Sequence, residues 1–377
     1  MPVHFTIRYH CFALSLLITL AACGTTGTKG SHQTMPSPTA TTASPQIDAY
    51  LNHLAATGVL TGTVLVARGG TVLIDKGYGL ADEDQHLPNT AQTRFRIGSI
   101  TKQFTAMAIL MLQGSGKLHV QDHLCLYIAN CPQDWQPITL QNLLTHTSGI
   151  PDYIGFNDFP SLIGTPATVE QLISRFKDQP LEFTPGSRWS YSNSGYVLLG
   201  YIIEKLSGES YAEYLQQHIF TPLGMKNSGY DSNTPSLPEH ATGYLSAGNK
   251  PVFLDMSEFY AAGALYSTVG DLYIWDQALK AHRLVSQAAL NDMFAVHIPC
   301  PSGGCALPTD RGYGYGWFIA DQGGQTYIYH WGRIDGFRSS NGFFPQGDVD
   351  VIMLSNLETT DTFGISTELG TMALQAH

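Results

Sequence analysis

Charged side chains are scarce in this sequence: Asp, Glu, Lys and Arg make up 13% of 377 residues, where about a quarter is usual. Basic residues are scarcer still, 19 against 30 acidic, for a formal charge of −11. That balance argues against a nucleic-acid partner, because phosphate binding is driven by clustered Lys and Arg. Also missing are zinc-finger spacings, a GxxxxGK[ST] loop and a GxGxxG element opening a helix, so no metal or other cofactor is expected. No stretch reaches the roughly 20 apolar residues that a membrane-spanning helix needs, and no internal repeat is visible. What the chain does hold is an apolar fraction of 43%, with 38 Gly and 19 Tyr. That is enough for a large buried core, excludes a wholly disordered chain and suits an extracytoplasmic globule, expected to be a monomer.

Residues 1–22 stand apart from that globule. They carry Arg8, no acid, and an apolar stretch from Cys11 to Ala22 interrupted only by Ser15 and Thr19. This is the pattern of a signal peptide, too short to span a bilayer. It ends Leu20-Ala21-Ala22-Cys23-Gly24, which is similar to the bacterial lipobox, where the thiol is lipidated and cleavage leaves the cysteine first. The expectation is an exported lipoprotein anchored to the membrane through Cys23; the alternative is ordinary cleavage at the same small residues with a free thiol. From Gly24 to Pro45, 16 of 22 residues are Gly, Ser, Thr or Pro. Such a segment cannot pack and reads as a tether over 23–46, with the folded domain following at 47–377.

With Cys11 and Cys23 assigned, four of the six cysteines remain. The two short-range pairs, Cys125 with Cys131 and Cys300 with Cys305, are the simplest of three connectivities in an oxidising compartment. Zinc is the rival, but neither pair is CxxC and no His lies within either.

Hydrophobic periodicity predicts an entry helix over 47–57 and a hairpin from the β-branched runs 63–68 and 71–74, joined by Gly69-Gly70. A helix is expected over 99–113, with Ile100, Phe104, Met107, Ala108 and Met111 on one face. Another, over 194–206, presents Leu198, Tyr201, Ile202 and Leu206. Near the end the period changes: 313–320, 325–330, 338–344 and 349–355 read as successive strands before a C-terminal helix. Strands at both ends with helices between predict an α+β fold. One antiparallel sheet is built from both termini and flanked by helices, with an inserted, mostly helical region.

Three short patterns carry chemistry. In Ser99-Ile100-Thr101-Lys102 a helix starting at Ser99 puts Lys102 one turn on, on the same face. A serine hydroxyl is a poor nucleophile until a neighbouring amine arranges removal of its proton, and helix-start amides suit a developing oxyanion. Ser174-Arg175-Phe176-Lys177 has the same spacing, and there an exposed helix face is the plainer reading. Tyr191-Ser192-Asn193 precedes the second helix; a phenol serves as a base at neutral pH only beside a cation, and Lys102 is the candidate. Tyr50-Leu51-Asn52 is its decoy, in the entry helix. His330-Trp331-Gly332 ends a predicted strand, where the glycine would let a substrate backbone approach the edge. Singly, His330 reads as an ordinary hydrogen-bonded side chain.

Together, in this order, Ser-x-x-Lys, Tyr-x-Asn and His-x-Gly resemble the serine β-lactamase and penicillin-recognising family, which includes class C β-lactamases, D-alanyl-D-alanine carboxypeptidases and related esterases. The surrounding text is similar as well: 143–150 (Leu-Leu-Thr-His-Thr-Ser-Gly-Ile), Pro185-Gly186-Ser187, Pro222-Leu223-Gly224-Met225 and 262–268. The resemblance implies the β-lactamase/transpeptidase-like fold over 47–377. It implies Ser99 as acylated nucleophile, Lys102 and Tyr191 sharing acid–base work, and Asn193 bonding the acyl side of a substrate. His330 and Gly332 would line the opposite wall, with an oxyanion hole from the amides of Ser99 and Arg333.

Two departures bear on substrate. The Lys and Thr that hold a carboxylate in β-lactamases are replaced by His330 and Trp331, and no counterpart of the class A deacylating glutamate stands out. The expectation is therefore an exported serine hydrolase acting through an acyl-enzyme on small ester, amide or peptide substrates. Esters should be cleaved faster than β-lactams, with carboxylate-bearing substrates gaining as pH falls toward 6 and His330 charges. Arg333 or Arg338 is the candidate replacement cation. The alternatives are a D-alanyl-D-alanine carboxypeptidase or weak β-lactamase, and, in another class, a non-catalytic cell-wall or β-lactam sensor. A solute-binding lipoprotein would need two βαβ-rich lobes, which the strand-rich C-terminus contradicts.

Overall fold

A computed structural model of the chain describes residues 44–233, 239–301 and 305–375. The signal peptide, Cys23 and almost all of the tether lie outside the described residues. Helix α1 (Pro45–Ala56) leads into strands β1 (Gly62–Arg68) and β2 (Thr71–Tyr78). The turn between them uses Gly69 and Gly70, both at positive φ, as the two-glycine sequence requires. The C-terminal part supplies β3 (Ile298–Pro299), β4 (Asp310–Tyr313), β5 (Phe318–Gln322), β6 (Gln325–Ile334), β7 (Phe337–Phe344) and β8 (Val349–Ser355). These join in one antiparallel sheet of order β2-β1-β8-β7-β6-β5-β4-β3. The two ends of the chain meet where β1 pairs with β8, Gly62 opposite Ser355 through Arg68 opposite Val349.

Both faces of the sheet are covered, and side-chain alternation divides them. Val64 and Val66 of β1, with Val351 and Met353 of β8, pack under α1 and the C-terminal helix α5 (Thr362–Gln375), alongside Ile47, Ile365 and Leu369. The intervening Leu65, Ile352 and Leu354 face the inserted helical region and its helices α2 (Thr101–Gly114), α3 (Asn193–Ser207) and α4 (Val269–Lys280). Between those helices sit Phe104, Leu198 and Trp275, all fully buried. The α2 stripe read from sequence is real but understates the burial: Thr101 to Leu110 is enclosed on every side.

Three boundaries differ from expectation. The run 313–320 is a hairpin, β4 and β5, with Gly314 N–H donating to Trp317 O across the turn. Alternating aromatics made it look like one strand, but Gly316 holds φ +77°, and a Cβ there would stand 2.8 Å from Lys102 O. The turn is thus pressed onto the first turn of α2. Strand β6 runs on to Ile334, four residues past His330, and turns tightly into β7. Ser99 does not begin the α-helix; it is the middle of a 3₁₀ turn, Gly98–Ile100, that feeds α2. The structure bridges Cys125 to Cys131 and Cys300 to Cys305.

Candidate active site

Ser99 sits at the junction of the 3₁₀ turn and α2, partly exposed at the floor of a cavity of about 510 Å³. One side of that junction is fixed by strand β6. Gly332 has no room for a side chain: a Cβ would stand 2.1 Å from Ile97 O and 2.3 Å from Ser339 Oγ. Its bareness therefore serves the approach of the nucleophile turn, where sequence reasoning assigned it to the substrate. A Cβ on neighbouring Gly98 would stand 3.0 Å from Arg333 N. This brings the Arg333 backbone beside the Ser99 turn. Strand β5 stops pairing with β6 at Phe318 opposite Tyr329, so among the described residues that edge of β6 has no neighbouring strand from His330 onward.

Lys102 Nζ lies 3.1 Å from Ser99 Oγ, and it donates to Asn193 Oδ1 and to Ala262 O, each at 2.8 Å. The ammonium is wholly buried, and this desolvation pushes its pKa down to about 7, with Asp152 opposing. Burial thus makes Lys102 a base that is half neutral at physiological pH.

Tyr191 stands beside it, the Lys102 Nζ 4.7 Å from its ring centroid. The sequence argument expected that cation to lower the phenol's pKa. Instead desolvation raises it well above its ordinary value, Ser99 offsetting part. The Tyr191 hydroxyl is buried and, among the described residues, finds no hydrogen-bond partner in good geometry. At neutral pH Tyr191 keeps its proton.

Asn193 begins α3 and is engaged at both ends. Its Oδ1 accepts from Lys102, and its Nδ2 donates to Asp152 Oδ2 at 3.0 Å. The Asn193 backbone N–H also donates to Asp152 Oδ1, at 3.1 Å. Asp152, half-buried, is raised by desolvation and held back by these bonds and by Lys102. Sequence reasoning missed it, along with the Ala262 carbonyl. Its signal was available as the acid two residues after the Gly149-Ile150 end of the first similar segment.

His330 lies behind the cavity wall. It is buried, with Nε2 3.0 Å from Tyr313 Oη and Nδ1 2.6 Å from Trp331 O. A carbonyl only accepts, so Nδ1 carries the proton and Nε2 accepts from the tyrosine. Desolvation first, then Lys102, pushes its pKa down to about 3. The expected gain in carboxylate binding near pH 6 is therefore corrected: His330 stays neutral there. Both candidate replacement arginines are engaged by Glu358. Arg333 Nε donates to Glu358 Oε1 at 3.0 Å and Arg338 Nε to Glu358 O at 2.9 Å. Trp331 lines the cavity together with Trp189 and Phe318, and both indole N–H groups lack a partner among the described residues.

His146, in the segment similar to the family's text, was not singled out from sequence as a site residue. It holds φ +57°, accepts at Nδ1 from the Ser192 N–H at 3.1 Å, and packs its ring 4.3 Å from that of Tyr191. It props the Tyr191–Asn193 segment from behind.

The sequence profile of the beta-lactamase family matches residues 47–370, which takes in every one of these groups. The chain belongs to that family. A putative penicillin-binding protein, PbpX, of Bacillus subtilis is 35% identical over 83% of the chain and 74% of its own length. Among solved structures, an octameric penicillin-binding protein homologue from Pyrococcus abyssi superposes with a TM-score of 0.76. It is 30% identical over 87% of this chain and 76% of the other. A D-stereospecific amidohydrolase from Streptomyces superposes at 0.73, with 26% identity over 86% and 98%. The fold is that of the β-lactamase-like serine hydrolases, as the three motifs implied.

Proposed function

We propose that this beta-lactamase family member is a serine hydrolase that opens ester or amide bonds through an acyl-enzyme on Ser99. Neutral Lys102 takes the Ser99 proton as Oγ attacks the substrate carbonyl. The oxygen becomes an oxyanion facing the backbone amides of Ser99 and Arg333. When the tetrahedral adduct collapses, the leaving group takes a proton from Tyr191 Oη, and the Lys102 ammonium returns one to the phenol. Water repeats the sequence on the acyl group. The ammonium formed in transit rests on Asn193 Oδ1, the Ala262 carbonyl and the field of Asp152. Export and anchoring through Cys23 belong to the same proposal, supported by the leader and its Leu-Ala-Ala-Cys end.

The observation that carries the reading is a fully buried lysine, pushed down to about 7, in contact with a serine at the floor of an apolar cavity. Nothing in a passive sensor requires that lysine to be held near neutrality. Carboxypeptidase and β-lactamase activity are disfavoured by the neutral His330 and by the engagement of both arginines with Glu358. Intact-mass and peptide mapping after fluorophosphonate and, separately, fluorescent penicillin treatment test it. Label confined to the Ser99 peptide with multiple turnovers on p-nitrophenyl butyrate is expected; label elsewhere, or a stable adduct without turnover, overturns it. For the anchor, Cys23→Ser should move the protein out of the membrane fraction.

A further inference from the structure

The Ser99 cavity also holds a carboxylate that the proposed reaction does not use. Asp335, in the turn between β6 and β7, lines that cavity together with Ser99, Arg333 and Ile334. It is half-buried, and among the described residues its carboxylate accepts no hydrogen bond and forms no ion pair. The nearby cations are committed elsewhere. Arg333 NH2 lies 2.7 Å from Glu358 Oε1, and Arg338 bonds the Glu358 carbonyl while its NH2 stands 3.8 Å from the same carboxylate oxygen. Burial, then Glu358, raises the Asp335 pKa, and the two arginines offset only part of this. Here is a carboxylate short of cationic company in a site that opens onto apolar walls.

The direction of β6 says which part of a substrate it meets. Tyr191, the proton donor to the leaving group, has its ring 6.4 Å from that of His330. The leaving group therefore lies toward the His330–Trp331 end of the free edge. The carbonyl sits at Arg333, and the acyl part runs on toward Ile334 and Asp335. We propose that Asp335 selects substrates carrying a cationic amine on the acyl side, such as aminoacyl amides and esters with an apolar side chain. This inference rests on the serine hydrolase reading and names its substrate class. Ile154, Phe159, Ile163 and Phe259 supply the apolar surface for that side chain.

The test compares kcat/KM for phenylalanine p-nitroanilide, in both D and L forms, with that for 3-phenylpropionyl p-nitroanilide, which lacks the amine. The wild-type protein should prefer one amine-bearing enantiomer. In Asp335→Asn the ratio of amine-bearing to amine-free substrate should fall about ten- to a hundredfold, through KM more than kcat, and Asp335→Glu should restore part of it. A wild-type protein that cleaves the amine-free analogue as fast or faster overturns the inference while leaving the serine hydrolase reading intact. So does an Asp335→Asn variant that loses both substrates equally. Failure to turn over either substrate, with no fluorophosphonate label on Ser99, overturns the underlying reading instead.

Discussion

The chain carries the Ser-x-x-Lys spacing twice, and the two copies differ in everything except spacing. Ser174 is exposed on the helix Val169–Phe176, its hydroxyl donating back to Gln171 O at 2.7 Å, while Lys177 reaches Ala129 O at 3.0 Å near the surface. Lys102 is enclosed between α3, the Ala262 segment and the β4–β5 turn, and its nearest hydroxyl is Ser99. The helix gives both lysines the same geometric reach. Water decides the rest: it reaches one ammonium and has been removed from the other, so Lys102 is driven toward its neutral form. Reactivity in this fold is a property of burial imposed from far along the chain, by residues 152, 193, 262 and 316.

The largest expected effect separates the two copies outright. Ser99→Ala should abolish acylation and reduce kcat by about 10⁴-fold or more, whereas Ser174→Ala and Lys177→Ala should leave ester hydrolysis within about twofold, as is usual for surface positions. Steady-state rates with a fluorophosphonate gel decide this; a Ser174 effect comparable to that of Ser99 breaks the comparison. Next, Tyr191→Phe should lower kcat by about 10²–10⁴-fold, the range for a general acid–base group. Its melting temperature should barely move, because among the described residues the hydroxyl makes no well-formed hydrogen bond that would be lost. A variant that keeps its rate would mean Lys102 serves both proton transfers.

The pH profile sharpens the comparison further. The active form needs Lys102 neutral, and its pKa is about 7. So kcat/KM should fall tenfold per unit below pH 7 and level off above it. Asp152 raises that pKa, so Asp152→Asn should shift the midpoint to lower pH; an upward shift would remove Asp152 from the account. The smallest effect concerns stability. A lysine depressed from 10.5 to about 7 in the folded state binds fewer protons there than in the unfolded chain. Its contribution should therefore become less unfavourable as pH climbs from 7 toward 10.5. Urea titrations of the wild-type protein and Lys102→Met across that window should converge in the wild type's favour.

What could be read from the sequence was what is local. The Gly69-Gly70 turn, the Ser99–Lys102 spacing and the α3 stripe depend on residues within a few positions of one another, and each was legible. The hairpin at 313–322 was misread because Tyr313, Tyr315 and Trp317 alternate as a strand would, although Gly314 and Gly316 marked the turn. His330 was legible as a motif residue, but its placement behind the wall depends on Tyr313 and the Trp331 carbonyl. The neutral histidine could not be told from a charged one without them. Asp152 and Asp335 escaped notice for the same reason: a carboxylate acquires meaning from which cations stand near it and what else those cations bond, and that is settled by tertiary packing.

The pairing of β1 with β8 has a consequence for how the protein comes into being. Residues 62 and 355 face each other one strand in from the β2 edge of the sheet, so a chain made from its N-terminus contains Ser99, Lys102 and Tyr191 long before the strand that frames them. Arg333 and the bare Gly332 emerge with the last tenth or so of the sequence. A growing chain thus carries its nucleophile unarmed, and contacts this distant in sequence form slowly. Hydrolytic competence arrives late, once β6, β7 and β8 are available to close the sheet.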